Sequence, residues 1–499
     1  MLILLRNHAV TSRVAFFVLS TTRAKSPRCT VNYFSVSSST SSAASAEVLD
    51  NLTTGRAIPA ASETATSKAA DTYNIVTPTA PKLVVLPESK WRAAAHQHSH
   101  RIEALLRPGL LPSSSQPSSS PSSSLNWTPL DPNNPIYNFL IEYYGLKGTK
   151  GVRRLARWSP DPELLLATPP AAAASIESCN HDTDDSSFIN NDEVIEAAME
   201  ASHGLGGILL LNATLDDLGS ILHLRGSVPV PYYTNNTNMD APKGERWRRK
   251  NRLHGVLYNP SVFYNDLRIA SCETTTATDN ENINNHHQDD DDRLRRTMAS
   301  YQWYSSILST TLNSEPVLHC HGLHEWAMLY HPIGSDPPPS AMYQPNLPKR
   351  VSQTIINEAV ERAGIRCTHV DALRFFAPAA LPLNRHVNVT RMDQLQLEQK
   401  GCVHAQMDLL KMALKLSSFV DSTLLGDVLE VALDARRLDV AASPYDASAY
   451  GLQAVPVETR EGRKMYRRQQ AELMNEAEPI RRRLLRAYEV FMELAFSIR

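Results

Sequence analysis

The chain has no long apolar run and few cysteines. No stretch approaches the roughly 18 consecutive apolar residues that a membrane-spanning helix needs, so we expect no transmembrane segment. Only six of the 499 residues are cysteines, and none show the Cys-x2–4-Cys spacing of structural zinc hooks. Because a chain of this length can bury a core without cross-links, we interpret the cysteines as reduced thiols.

Acidic residues are missing from the first 46 positions, which carry five arginine and lysine residues among many serines and threonines. This composition is typical of an organelle transit peptide, so we predict targeting of 1–46 to the mitochondrion or plastid and a disordered linker over 47–81. A secretory signal around the apolar run 14–19 and a plain disordered tail are the alternatives. Without the five basic charges, the net charge of −2 becomes −7.

Three polar segments lack the apolar residues needed to offset the entropy of ordering them. They lie near 113–124, 171–193 and 273–293, and we predict them to be surface loops inserted in one large helical domain, 82–499. The third contains a His/Asp-rich run, 286–292. A solubilising role is the simpler interpretation of that run, with metal binding as the alternative.

The remaining sequence predicts a mainly α-helical fold with a possible minor β component. Two short apolar runs, 83–86 and 207–211, are strand candidates. Pro479 is expected to kink or divide the last helix. Helical periodicity is found over 136–144, 293–312, 352–363, 402–416, 423–438 and 461–496.

The segment 402–416 carries the most informative pattern. At about 100° per residue, His404, Asp408, Lys411 and Lys415 fall within about 60° of one another on a helix that is otherwise mostly apolar. A helix of this kind is mostly buried. Its polar stripe therefore either faces solvent through a slit or lines an internal polar site.

A second group of polar residues surrounds His324. If 319–326 is helical, His321 and Glu325 share one face, with His324 beside them. The order His-x-x-His-Glu differs from both zinc-protease patterns, which place the glutamate elsewhere. Cysteine and histidine also alternate at Cys367/His369 and Cys402/His404. With Cys320 and His324, these pairs offer ligands for a tetrahedral zinc site, against the alternative that they pack in the core.

Charged residues next to Phe375 need partners if they are buried. Asp371 and Arg374 are three residues apart, so an ion pair between them is the simpler interpretation and a catalytic role for Asp371 the alternative. Asp439 and Asp446 flank a Ser-Pro-Tyr turn, which we interpret as a helix end and a new start.

Three basic clusters suggest a nucleic-acid partner, with DNA as the candidate. They lie at 147–158, 243–254 and 460–486, and the second contains six lysines and arginines around Trp247. Such concentrations neutralise phosphates when they share one surface, although charge runs more often form solvated faces.

Four motifs together resemble a family of mostly bacterial proteins that carry the label 3-methyladenine DNA glycosylase. The resemblance spans most of 90–485 apart from the loops, and its motifs are Cys320–Met328, Ile365–Phe376, Gly401–Leu409 and Ala442–Asp446. It implies a DNA repair enzyme that extrudes an alkylated base and hydrolyses its N-glycosidic bond with the help of a carboxylate. The Gly-rich helix-hairpin-helix of one major glycosylase superfamily is absent.

Under this resemblance, Asp371, Asp408 and Glu325 are the candidate carboxylates, and Trp326, Phe375 and Phe376 are the candidate pocket walls. A metal-assisted hydrolase, with zinc as the possible ion, and a non-catalytic helical binding protein are the alternatives. The site residues that we predict are His324, Glu325, His369, Asp371, Arg374, His404, Asp408 and Lys411.

Overall fold

The computed structural model describes residues 83–112, 127–161, 191–202, 206–213, 217, 227–229, 255–260, 283–339, 346–387 and 389–497. The chain divides into two units, Met1–Val76 and Thr77–Arg499, and every described residue belongs to the second. The predicted transit segment and linker, the insertion at 113–124, most of 171–193 and the basic cluster at 243–254 lie outside the described residues.

The described chain is mainly α-helical, as predicted. None of its helices combines the length and hydrophobicity needed to cross a lipid bilayer. The helices are α1 (Glu88–Leu106), α2 (Asn138–Glu142), α3 (Gly148–Ala156), α4 (Asn191–Ala201), α5 (Ile283–Asn313), α6 (His324–Leu329), α7 (Gln353–Ala363), α8 (Val370–Leu373), α9 (Gln394–Leu397), α10 (Val403–Leu416), α11 (Ser422–Ala441) and α12 (Arg460–Ser497).

Two predicted boundaries are wrong, both at insertions. Helix α5 begins at Ile283, ten residues before the predicted start, so the end of the predicted loop 273–293 is helical. The end of the predicted loop 171–193 likewise enters α4 at Asn191. Extending an existing helix by one residue costs far less than nucleating one, so a polar segment can follow an anchored helix without apolar residues of its own.

Pro479 does not divide the last helix. Helix α12 is continuous from Arg460 to Ser497 with Pro479 inside it. It packs against α5, α10 and α11. This tertiary packing compensates for the backbone hydrogen bond that proline removes.

A small four-stranded sheet packs beside the helices, in the order β1 (Leu83–Leu86), β2 (Gly207–Leu211), β4 (Gly255–Tyr258) and β3 (Ser227–Pro229). The first two strands were predicted and pair in parallel, and the other two were not. Side chains alternate between the faces. Ile208 and Leu210 pack towards Trp91 of α1, whereas Leu209 packs towards Val194 of α4.

The main core lies among α5, α10, α11 and α12. Helix α10 buries Leu409, Leu410 and Ala413 almost completely. Its partner α11 begins at an N-cap, where the Asp421 carboxylate accepts a hydrogen bond of 2.9 Å from the Leu424 amide. These contacts fix α10 and α11 side by side.

Removing the Asp421 cap is expected to destabilise the protein modestly. Asp421→Ala leaves the Leu424 amide without its acceptor and should lower the free energy of unfolding by about 1 kcal/mol. Asp421→Asn keeps a side-chain oxygen and serves as the control. Urea denaturation followed by circular dichroism measures both, and equal losses in the two variants would contradict the capping role.

Candidate metal centre

One cavity of about 170 Å³ lies where α2, α6, α8, α10 and α11 meet. Its mouth is formed by exposed residues that include Glu142, Tyr143 and Arg374, and its floor by buried Glu325 and Arg436. The structure brings all of the predicted site residues to this cavity, although they come from distant parts of the sequence. They are His324, Glu325, His369, Asp371, Arg374, His404, Asp408 and Lys411.

Three histidines converge in the cavity. The ring centroids of His324 and His404 are 4.2 Å apart in an edge-to-face arrangement, and those of His404 and His369 are 5.0 Å apart and stacked. Burial, together with the positive charges of His324 and His369, holds the pKa of His404 well below its ordinary value. His404 is therefore a neutral imidazole between two other rings.

The cavity floor is a buried cluster of ionised groups around Arg436. The Arg436 guanidinium donates 2.6 Å and 3.3 Å hydrogen bonds to Asp439 and Glu325, and a third to the Pro135 carbonyl. Although burial opposes ionisation of Glu325, hydrogen bonding to His324 and the charge of Arg436 lower its pKa to about 2. Glu325 is thus a carboxylate at neutral pH.

Asp439 is the most buried member of this cluster, with no exposed surface. Its Oδ1 lies 3.4 Å from His324 Nδ1. Neither of these two buried atoms has a hydrogen-bond partner within the described part of the chain. The predicted helix end is confirmed, since α11 ends at Ala441 with Asp439 in its last turn. The position of Asp439 in a buried charged cluster was not predicted.

Among the described residues, three groups of side chains, two of which share His369, have a geometry that could hold a metal ion. In each group the potential ligand atoms lie within 4.8 Å of one another. The groups are His324, His404 and Asp439; His369, Asp371 and Asp408; and His369, Glu398 and Cys402.

A buried glutamate, Glu398, orients the His369 ring. Its Nδ1 lies 3.2 Å from Glu398 Oε1, and Gln394 donates a 2.9 Å hydrogen bond to the other carboxylate oxygen. Although burial opposes protonation, the Glu398 charge holds the pKa of His369 well above its ordinary value. Glu398 thus fixes the ring, and no sequence pattern marked it.

The group of His369, Asp371 and Asp408, at the side of the cavity, is already paired with the Lys411 cation. Lys411 Nζ lies 3.0 Å from Asp408 and 3.5 Å from Asp371, and Arg391 lies 3.0 Å from Asp371. The predicted ion pair between Asp371 and Arg374 is wrong. Because α8 ends at Leu373, Arg374 lies instead over the Phe375 ring at 4.7 Å.

Aromatic side chains form one wall of the cavity. Tyr143, half exposed, and Phe375 meet edge to face at 6.1 Å, and Phe139 and Tyr144 lie deeper. The predicted walls Trp326 and Phe376 are not part of it. The Trp326 ring is fully buried and donates to the Ala442 carbonyl, and Phe376 packs in the main core.

The turn before α6 separates His321 from the cavity. His321 and Gly322 have φ values of 54° and 64°, so His321 does not share a helical face with Glu325 as predicted. Glycine suits position 322 because its φ is in the left-handed region and because a Cβ there would make a tight contact, 3.1 Å, with the Tyr466 ring. His321 instead faces Tyr466 of α12, with ring centroids 6.4 Å apart.

Three other candidate residues, Lys415, Cys320 and Cys367, lie elsewhere. Lys415 lies 4.9 Å from the Tyr301 ring and does not line the cavity. Within the described ranges, Cys320 and Cys367 join no group of three potential metal ligands, so the predicted zinc site built on three Cys/His pairs is wrong for these two thiols. Burial raises the pKa of both.

Comparison of the chain with protein-family models, with curated proteins and with solved structures returned no match. The chemistry of the site is therefore interpreted from its own side chains.

Replacing Arg436 is expected to destabilise the fold strongly. Arg436→Met leaves Glu325 and Asp439 buried without their shared guanidinium, which should cost about 3–5 kcal/mol of unfolding free energy. The control is Arg437→Met, which removes the partly exposed pair with Asp434 and a long, 3.5 Å hydrogen bond to the Tyr137 hydroxyl, and should cost about 1 kcal/mol or less. Denaturant unfolding measures the difference, and similar losses would show that the buried cluster is not the stronger constraint.

Proposed function

We propose that the protein is a metal-dependent hydrolase whose ion is held at the cavity floor by His324, His404 and Asp439. The observation that carries this proposal is the facing pair His324 Nδ1 and Asp439 Oδ1, 3.4 Å apart and both lacking hydrogen bonds within the described chain. Two ligands about 2.0–2.1 Å from a tetrahedral zinc ion lie about 3.4 Å from each other. The separation is thus that of two ligands of one ion.

Charge balance favours the same group. Glu325 and Asp439 share Arg436, which is the one arginine or lysine within ion-pair distance of either carboxylate in the described chain. At the side of the cavity, Lys411 and Arg391 balance Asp371 and Asp408. Without the proton that His324 carries when no other cation is bound, the floor has about one negative charge, which a metal ion would balance in place of that proton, whereas the side already has its own cations.

Two histidines and one carboxylate suit divalent ions of the zinc and iron class. Such a ligand set leaves a coordination position open, and an ion bound there would lower the pKa of water to about 7. Glu325 Oε2 is buried without a hydrogen-bond partner among the described residues, so it is placed to accept a hydrogen bond from that water. Burial lowers the pKa of Lys411, but the neighbouring Asp408 carboxylate raises it above its ordinary value. Lys411 therefore remains protonated and can stabilise negative charge on a substrate.

The cavity wall restricts the substrate. Tyr143 and Phe375 form an apolar edge at the mouth, and Arg374 lies exposed beside Phe375. A substrate with a flat or apolar part against these rings would place its polar part towards Lys411 and the floor.

Base excision is a second candidate, supported by one observation. Asp371 and Asp408 lie in the same cavity as the aromatic edge of Tyr143 and Phe375. Despite burial, Lys411 and Arg391 keep the pKa of Asp371 below its ordinary value, so it is ionised. An extruded alkylated base needs such a pairing of a stacking surface with a carboxylate that supports positive charge on the sugar.

Metal analysis tests the main proposal. The full chain purified without chelator should contain about one zinc or iron ion per molecule, measured by plasma mass spectrometry. Because His404→Gln and Asp439→Asn each remove one ligand, both should weaken metal affinity by at least about tenfold.

The control for this experiment is His100→Ala, since His100 is exposed on α1 away from the cavity. It should retain the wild-type metal content. Should Asp439→Asn fail to fold, the partly exposed His404 still gives a clear answer. Folded wild-type protein that binds neither zinc nor iron on titration would overturn the proposal.

Base excision is tested by incubating the protein with methylated duplex DNA. The second candidate predicts release of free 3-methyladenine, detected chromatographically, and a loss of at least about 100-fold in rate for Asp371→Asn. The Arg391→Gln variant, which removes only a partner of Asp371, should lose far less. Absence of release by folded, metal-loaded protein would exclude this candidate and leave the metal proposal standing.

A further inference from the structure

A second polar surface lies on the other side of the segment that leads into α6. It consists of Arg366, Arg385, Arg463 and Arg467, which we call the arginine surface, with His319 and His321 next to it. None of these residues lines the cavity. In the described chain, none of the four arginines has a carboxylate within 4 Å.

Backbone pairing places two of the arginines side by side. The Ile365 amide donates to the Leu383 carbonyl, and the Arg385 amide donates to the Ile365 carbonyl at 2.9 Å. The Asn384 side chain bonds both the amide and the carbonyl of Cys367. Arg366 and Arg385 therefore lie on two adjacent segments that are hydrogen-bonded to each other, and both arginines are exposed.

Helix α12 supplies the other two arginines. Gln470 donates to the Val317 carbonyl and to Cys320 Sγ, which holds the segment before His321 against the helix. Arg463 and Arg467 are one turn apart, on either side of Tyr466 in sequence. This packing brings them to the two histidines.

The charges of the arginines act on both histidines. Burial, then the charges of Arg463 and Arg467, lower the pKa of His321 to about 4. Burial, Arg366, Arg467 and Arg385 also lower the pKa of His319. Both histidines are therefore neutral at pH 7, and their ring N–H groups are available as additional donors.

Buried polar atoms next to the arginine surface lack hydrogen-bond partners. Arg463 Nη2, the Tyr466 hydroxyl and His321 Nδ1 are all buried without a hydrogen-bond partner within the described chain. His321 and Tyr466 have only 8% and 0% of their surfaces exposed. Like charges that are held close together cost free energy, which an anion bound among the exposed arginines would offset.

We propose that the arginine surface binds a phosphate group. Phosphate matches it better than a carboxylate does, since its several oxygens can accept from more than one guanidinium fork. The phosphate can belong to a free phosphate or to the phosphodiester backbone of a nucleic acid, which present the same oxygens. This inference does not depend on the proposed metal site, with which the surface shares no residue.

Two binding measurements on the full chain test the proposal and separate the two sources. Inorganic phosphate is titrated by calorimetry, and a fluorescent oligonucleotide, single- or double-stranded, is titrated by anisotropy at low salt. Binding of at least one of these probes is expected. Binding of the oligonucleotide alone identifies a phosphodiester chain, and comparable binding of inorganic phosphate identifies a free phosphate group.

Two variants locate the binding. Arg366→Gln combined with Arg467→Gln should weaken binding at least about tenfold and, for an oligonucleotide, lower the slope of log K against log salt by about two. Arg482→Gln is the control, because Arg482 lies on the same helix but is paired with Glu478, and should change affinity less than about twofold. Failure of both probes to bind wild-type protein, or equal binding by the double variant, would overturn the proposal.

Discussion

The guanidinium of Arg436 is the fixed positive charge on which the cavity depends. It lies between Asp439 and Glu325, all three almost inaccessible to solvent, and is tied to the Pro135 carbonyl before α2. Burying these charges is tolerable only because each has partners. This cluster therefore joins α6 and α11 to the chain before α2, and α2 leads directly to Tyr143 of the aromatic edge.

The same cluster explains why the floor can attract a cation. The Arg436 guanidinium is shared by two carboxylates. The two ring nitrogens of His324 face the same carboxylates, with Nδ1 at 3.4 Å from Asp439 Oδ1 and Nε2 at 3.7 Å from Glu325 Oε1. In that field His324 takes up a proton when no other cation is bound, since the charges of Asp439 and Glu325 raise its pKa despite burial. A divalent ion would replace that proton and use the facing Nδ1 and Oδ1 atoms directly.

The sequence allowed much of this site to be predicted. The polar stripe of α10 was visible because His404, Asp408 and Lys411 recur at helical spacing on an apolar helix, and the structure places all three in the cavity. Lys415 obeys the same periodicity but lies one turn further, beyond the cavity. Periodicity identifies a face of a helix, whereas the neighbouring elements decide how much of that face is enclosed.

Other parts of the site could not be read from local pattern. Arg436 and Asp439 are three residues apart on a long helix, a spacing that many exposed ion pairs also have. They are buried because α11 packs against α10 and because Arg436 pairs with Glu325 of α6. Glu398 follows a single-turn helix and meets His369 across 29 positions of sequence. Strand β3 is three residues long and ends in a proline, which is too short for alternation to distinguish it from a loop.

Anomalous diffraction from crystals grown with zinc tests the central claim most directly. We expect a peak at the zinc edge about 2.0–2.2 Å from His324 Nδ1, a ring nitrogen of His404 and Asp439 Oδ1. No such peak at the cavity floor, or zinc bound only at His369, Glu398 and Cys402, would contradict it.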